Sequence, residues 1–322
     1  MKKIVVIPTF CESHLVKHQI PNIIDTIDPD YIVYREGMFP NGTEGNKNIT
    51  KEWLDNYTLD GKRGFDFNEL KSIIADAKLK YPNKKIILDE VNYEKSMSST
   101  DCFVKACVDL NHLDIKFEIG DCIFPFEADV FHHESSKKLI DGYINQIEPN
   151  QGFRSIWIDY CVNQYYCEEK DIISYQNPDM FDSCKSRRIC VKYGGDDFLY
   201  NVLSRFMTTR GSDVKTGYGI LYPTDLVTYH YCWFRFGKFK QLRFDQLQRG
   251  TGYWDLYNTG LEKCNELKYK KVTVRPWLNG KEGTYLRFFN KLEHPSHIKS
   301  HPCYINVDEK VIDNIEKNNL TF

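Results

Sequence analysis

Lys3-Ile4-Val5-Val6-Ile7-Pro8-Thr9 and Tyr31-Ile32-Val33-Tyr34-Arg35-Glu36 are two apolar runs separated by a segment of a different period. The first run is continuously hydrophobic, as expected of a strand covered on both faces. Between them, from Glu12 to Ile27, the residues Val16, Ile20, Ile23, Ile24 and Ile27 fall on one helical stripe. Pro21 lies within that stripe and marks either a kink or the helix start. Strand, helix and strand in succession are the elements of a parallel sheet with helices on its faces.

The rhythm continues outward from there. Residues 38–62 are rich in Asn and Gly and read as a long loop, with a helical turn around Trp53. Asp66-Phe67-Asn68-Glu69 resembles a capping box, followed by Leu70, Ile73, Ile74 and Ala77 on one face. Lys84 to Asp89 is a third strand, and Phe103, Ala106, Cys107 and Leu110 mark another amphipathic helix. A helix is expected near 135–147. Phe153 to Tyr166, Arg187 to Tyr193 and Asp225 to Trp233 read as further β segments. From Gly237 onward the chain is aromatic and basic, without a βα rhythm. The expected architecture is therefore α/β: a mostly parallel, Rossmann-like central sheet with helices on both faces, spanning 1–235. A C-terminal extension, 236–322, packs on it.

At 322 residues, 41% of them hydrophobic, the chain can bury one large core or two modest ones. A net charge of -2 gives no general signal for nucleic acid. No apolar run approaches the ~20 residues needed to cross a bilayer, so no membrane role is expected. The start, Met1 to Pro8, has basic residues before an apolar run, but Pro8 and Glu12 break it early, and it reads as a strand rather than a signal segment. The 11 cysteines form an odd set without any Cys-x-x-Cys pair, and several sit in apolar-periodic segments. That favours a reducing cytoplasm over a disulfide or zinc framework.

The chemistry concentrates between Gly120 and His133. Ile123-Phe124-Pro125-Phe126 runs into Glu127-Ala128-Asp129. In an extended backbone, residues two apart point to the same side, so Glu127 and Asp129 would converge at a strand end. Carboxylates so placed suit a hard cation, and burying them without one is costly. The alternative is a strand running into a solvated acidic loop.

Four stretches in order resemble the GT-A fold, family 2-like nucleotide-sugar glycosyltransferases, particularly their divergent phage and viral members. The first is Ile4 to Glu12, similar to a strand leaving through Pro-Thr-x-x-Glu. The second is the strand ending in Glu36. The third is Gly120 to Phe131, similar to a Gly-Asp segment that ends in Asp-x-Asp-x-Phe. The fourth is Thr228-Tyr229-His230-Tyr231-Cys232-Trp233, similar to a late Tyr-His-Tyr-x-Trp element. Glu127 stands where the family has its first Asp, and Val130 where many relatives have Glu.

This resemblance implies transfer of a sugar from a UDP- or GDP-linked donor to a hydroxyl acceptor, with Mn2+ or Mg2+ on the diphosphate. A viral chain would do this in the host cytoplasm. It implies Asp129 and His230 as metal ligands, with Glu127 on the metal or the ribose. Pro8, Thr9, Glu12 and Glu36 would line the nucleotide pocket at the strand exits, where open α/β sheets take ligands. Thr9 and Glu12 also suit helix capping. In Gly194-Gly195-Asp196-Asp197 the resemblance implies an acceptor base, Asp197 before Asp196, while the same residues fit a hairpin turn. Acceptor-side elements would come from the extension.

Arg187 and Arg188 could meet phosphate, or simply start a strand. Arg235, Lys238, Lys240, Arg243 and Arg249, interleaved with aromatics, could hold an anionic acceptor or form an amphipathic helix. Two other readings stay open. Glu127, Asp129, His132 and His133 could together build a metal-dependent hydrolase or nucleotidyltransferase site. A relative that only binds carbohydrate is the other.

Overall fold

Lys3–Thr9 forms β1, with Ile4 to Ile7 fully buried, which is why this run carries no alternation. β2 (Tyr31–Glu36) lies parallel on one side of it and β3 (Lys85–Glu90) beyond, while β4 (Cys122–Pro125) lies parallel on the other side. The computed structural model describes residues 1–37, 64–91, 99–108, 110–160, 164–177, 186–195, 203, 219–221, 223, 225–231, 234–238, 286–306, 310 and 313. The expected 38–62 loop with its turn at Trp53 lies outside them, as do Asp196 and Asp197.

Past β4 the sheet continues through β8 (Ser186–Lys192), β6 (Gly152–Asp159) and β10 (Val227–His230) to β5 (Val130–Phe131), with β9 (Ile220–Leu221) beside β6. β8 runs antiparallel to both its neighbours and β5 antiparallel to β10, whereas β10 and β6 are parallel. This is an α/β fold with a mostly parallel central sheet. The carboxyl ends of β1, β2, β4, β6 and β10 consequently open along one edge. A second small sheet pairs β7 (Tyr166–Glu168) with β11 (Leu286–Phe288).

Side-chain alternation sorts the core. Val5, Ile7, Tyr34, Phe124 and Phe153 point to one face, where α1 (Ser13–Thr26), α2 (Gly64–Lys80) and α4 (Ser136–Gln146) cover them. Ile4, Val6, Val33, Ile123 and Val191 point to the other, under α3 (Ser99–Val108). Burying each such side chain stabilises the fold by about 1.5–3 kcal/mol. No described helix is long and apolar enough to cross a membrane.

Pro21 sits inside α1 rather than at its start. The capping-box expectation changes in detail: α2 begins at Gly64, and Asp66 reaches across to α1, where its Oδ1 accepts the Ser13 N–H at 3.0 Å. The expected β segment 153–166 divides: β6 stops at Asp159 and β7 opens at Tyr166. α5 (Glu169–Gln176) is a helix that the sequence pattern does not announce.

α1 is buried on more than its sheet-facing stripe. His14, His18, Gln19, Asn22 and Thr26 are buried as well. Residues 286–306 cover part of this second face: His18 Nδ1 meets the His297 carbonyl at 2.9 Å, and His297 Nε2 meets Asp25 Oδ2 at 2.8 Å. Buried polar groups need partners. The partners of Gln19 and Asn22 shape the site.

Candidate metal centre

The two acids do share a side, but not through strand pleating. β4 ends at Pro125 and the chain reverses in a tight turn, with the Val130 N–H donating to the Glu127 carbonyl at 3.2 Å. β5 imposes the reversal, because it must run antiparallel to β10. α1 clamps the turn. Gln19 Nε2 donates to the carbonyls of Glu127 (2.5 Å) and Val130 (3.2 Å), while Gln19 Oε1 accepts from Tyr34 Oη at 3.2 Å. Asn22 holds the His132 backbone from both sides, donating to its carbonyl at 2.6 Å and accepting its N–H at 3.0 Å. From β10's exit, the Tyr231 N–H donates to the Asp129 carbonyl at 2.8 Å.

His230, the last residue of β10, completes the cluster. Its Nε2 lies 3.3 Å from Asp129 Oδ1 and 3.6 Å from Glu127 Oε2. Ligand atoms of Glu127, Asp129 and His230 all fall within 4.8 Å of one another, the only such group among the described residues. On its other side, His230 Nδ1 is hydrogen-bonded to Asp159 Oδ1, and the Trp157 indole N–H donates to the same oxygen at 2.6 Å. Register makes this pairing possible, because His230 stands opposite Asp159 between β10 and β6. The Asp159 N–H donates in turn to Asp171 Oδ2 on α5, at 2.9 Å.

The donor set fits a divalent cation. Two carboxylates and one imidazole converge where Asp129 is 5% exposed, and close, poorly hydrated acceptors repel unless a positive charge lies among them. Oxygen ligands suit Mg2+ and Mn2+ alike, and manganese also accepts an imidazole nitrogen. Glu127, Asp129 and His230 could therefore hold either ion.

Arg235 supplies a fixed positive charge behind the cluster. Its Nη2 lies 2.6 Å from Glu12 Oε1 and 3.7 Å from Asp129 Oδ2. Glu12 occupies the N-cap position of α1 but makes no side-chain cap, so the capping alternative for it does not hold. Burial, with the Arg235 guanidinium beside it, pushes the His14 imidazole well below its usual range.

The other expected residues fall into distinct places. Thr9 and Glu36 are register partners at the ends of β1 and β2, each 1% exposed, and the Thr9 hydroxyl donates to Glu36 Oε2 at 2.5 Å. Pro8 is half-buried beside them. Gly194 and Gly195 follow the end of β8, outside any regular element. Gly195 has φ +118°, and a Cβ on Gly194 would lie 2.1 Å from Asn150 Oδ1. Asp196 and Asp197 themselves lie outside the described residues.

The cluster of Glu127, Asp129, His132 and His133 does not form. His132 is fully buried, with Nε2 3.0 Å from Thr228 Oγ1 and its ring 5.3 Å from that of Phe126. Burial lowers its pKa to about 3. His133 turns instead to Ser135, Glu134 and Glu293. The turn that joins the acids thus separates both histidines from them.

Sequence reasoning misses Asp159 and misplaces Arg235. Asp159 carries the same signal as Glu36, an acid closing the apolar run Ile156-Trp157-Ile158. Arg235 reads locally as one of a basic set, and nothing near it in sequence indicates a partner at Glu12.

No family model matches the chain, and no curated protein does. Among solved structures, the nucleoside-diphosphate-sugar pyrophosphorylase from Vibrio cholerae RC9 is similar over 71% of this chain and 91% of its own, at 6% identity and a TM-score of 0.31. A likeness that slight says nothing about what this chain binds.

Proposed function

We propose that this chain is a metal-dependent glycosyltransferase that moves a sugar from a UDP- or GDP-linked donor to a hydroxyl acceptor. The observation that carries the reading is the meeting of Glu127, Asp129 and His230 at the carboxyl edge of a mostly parallel sheet. Ligands of open α/β sheets bind at that edge. The order of the motifs along the chain supports the same reading.

A divalent ion bound by these residues would supply positive charge opposite the departing diphosphate. The chain's own side chains do the rest. Glu127, Asp129 and His230 would hold the ion, and Arg235 sets a positive charge 3.7 Å from Asp129 Oδ2. Pro8 and Glu12 stand at the nucleotide end of the edge, with Thr9 and Glu36 closed onto each other beside them. Asp197, or Asp196 beside it, takes the proton of the acceptor hydroxyl. That oxygen then bonds to the anomeric carbon as the bond from the same carbon to the diphosphate breaks, releasing nucleoside diphosphate.

Thermal shift across a panel of UDP- and GDP-sugars, with and without Mn2+, tests the reading. A donor that raises the melting temperature only with metal, and that yields free nucleoside diphosphate with a glycosylated acceptor, is expected. Release of monophosphate or pyrophosphate would move the chain to hydrolysis or nucleotidyl transfer. Sugar binding that needs no metal and survives Asp129→Ala would mark a binding protein.

A further inference from the structure

We infer that Asp159 is the positioning residue for His230: its carboxylate fixes the tautomer and the aim of the imidazole that faces Glu127 and Asp129. The consequence for metal binding rests on the proposed function; the tautomer itself does not.

Two hydrogen bonds and burial make Asp159 a rigid anchor. The Trp157 indole N–H, which can only donate, reaches Oδ1 at 2.6 Å. The Asp159 backbone N–H is taken by Asp171 Oδ2 at 2.9 Å. The side chain is almost wholly out of water, with Asp159 3% exposed. Trp157 also lies against the imidazole, ring centroids 4.2 Å apart at 42°, limiting its rotation. Because the β6–β10 register places His230 opposite Asp159, this anchor lies next to the ring.

A carboxylate oxygen that already accepts from an indole can only accept again, so His230 Nδ1 must carry the hydrogen between them. In the neutral ring that leaves the lone pair on Nε2, aimed at Asp129 Oδ1 (3.3 Å) and Glu127 Oε2 (3.6 Å). Three acceptors are then presented to a common centre, the arrangement that a cation completes. Loss of the partner that orients a ligating histidine typically weakens metal binding about 10–100-fold. Asp159 is not one of the three residues that meet at that centre, so it acts through the ring.

The test uses the full chain in two arms. In the first, ¹⁵N-imidazole NMR of the metal-free protein above neutral pH reads which nitrogen of His230 is protonated, with His230→Gln identifying the signal. A protonated Nδ1 in the wild type, moving to the Nε2–H form in Asp159→Asn, is expected. An unprotonated Nδ1 in the wild type overturns the inference whether or not Asp159→Asn folds. In the second arm, Mn2+ is titrated by EPR into wild type, Asp159→Asn and Asp129→Asn. Binding about 10–100-fold weaker in Asp159→Asn is expected. Unchanged Mn2+ affinity in Asp159→Asn, with Asp129→Asn abolishing it, overturns the positioning role and leaves the metal reading standing. A wild type that takes up no Mn2+ overturns the metal reading, and the NMR arm then decides the role of Asp159 alone.

Discussion

Glu12 and Arg235, 223 residues apart, meet through Oε1 and Nη2 at 2.6 Å, and the same guanidinium nitrogen lies 3.7 Å from Asp129 Oδ2. The start of α1 is thereby tied to the exit of β10 and to the acidic turn by one buried cation. Arg235 is 5% exposed. Removing one member of a buried ion pair leaves the rest charged and poorly solvated, at a cost of about 3–5 kcal/mol. Arg235→Met should lose stability of that order in urea unfolding, and Glu12→Gln combined with it should cost less than the two changes summed. Additive losses would mean that the pair is not energetically coupled.

Gln19 serves the site without touching its centre. Its amide spans the turn between the Glu127 and Val130 carbonyls. Gln19→Leu preserves approximate size but removes the side-chain donor from the buried Val130 carbonyl and the acceptor from Tyr34 Oη, each worth about 1–3 kcal/mol, while the Glu127 carbonyl keeps the Val130 N–H. A lowered unfolding midpoint is expected together with weaker Mn2+ binding, because the turn that aims both acids loosens. A stability loss with Mn2+ affinity intact would show that β5 and Tyr231 hold the turn unaided.

The parts of this molecule that can be read from sequence are those fixed locally. β1, α1 and β2 each carry an undiluted period of their own, and their boundaries fall within a residue or two of expectation. α5 escapes such reading because Glu169–Gln176 is eight residues of mixed polarity without a clear cap. The convergence of Glu127 and Asp129 is expected from sequence for the wrong reason. Local pattern extends the apolar run through Phe126, whereas pairing of β5 with β10, residues some hundred positions later, demands a turn. The meeting of Arg235 with Glu12 has the same character, since nothing local to either residue encodes it. Asp159 is legible in principle, as an acid ending a buried strand, but its importance depends on which strand lies beside β6.

Acid should unfold this protein early, and buried histidines are the cause. Burial lowers His18 from 6.5 to about 4, and His132, His294 and His301 from 6.5 to about 3. In each case the folded value lies below the unfolded one, so between them the unfolded chain binds more protons. Stability is therefore greatest above pH 6.5, falls as the pH drops below it, and stops falling from this source only below the folded values. Each imidazole contributes at most about 1.4 kcal/mol per pH unit within that window. Urea midpoints should be nearly level from pH 7.5 to 6.5 and fall from there to pH 5, and His301→Phe should flatten that slope by about one proton. A midpoint constant across that range would contradict burial of these rings as neutral groups.

Asp129→Asn separates the charge of the cluster from its shape. The Asp129 carbonyl keeps its bond from the Tyr231 N–H, so the turn has no reason to open. What changes is one negative charge among ligand atoms that lie within 4.8 Å of one another. An amide is a far poorer partner than a carboxylate for a hard divalent ion and for Arg235. The variant should keep its circular dichroism and lose Mn2+-dependent stabilisation and turnover. Glu127→Gln should weaken both less, because the longer Glu127 side chain is more exposed, 27% against 7% for Asp129, and can share its contacts with water. Turnover near wild type in Asp129→Asn would remove the metal from the reaction, and a larger loss in Glu127→Gln would make Glu127 the principal ligand.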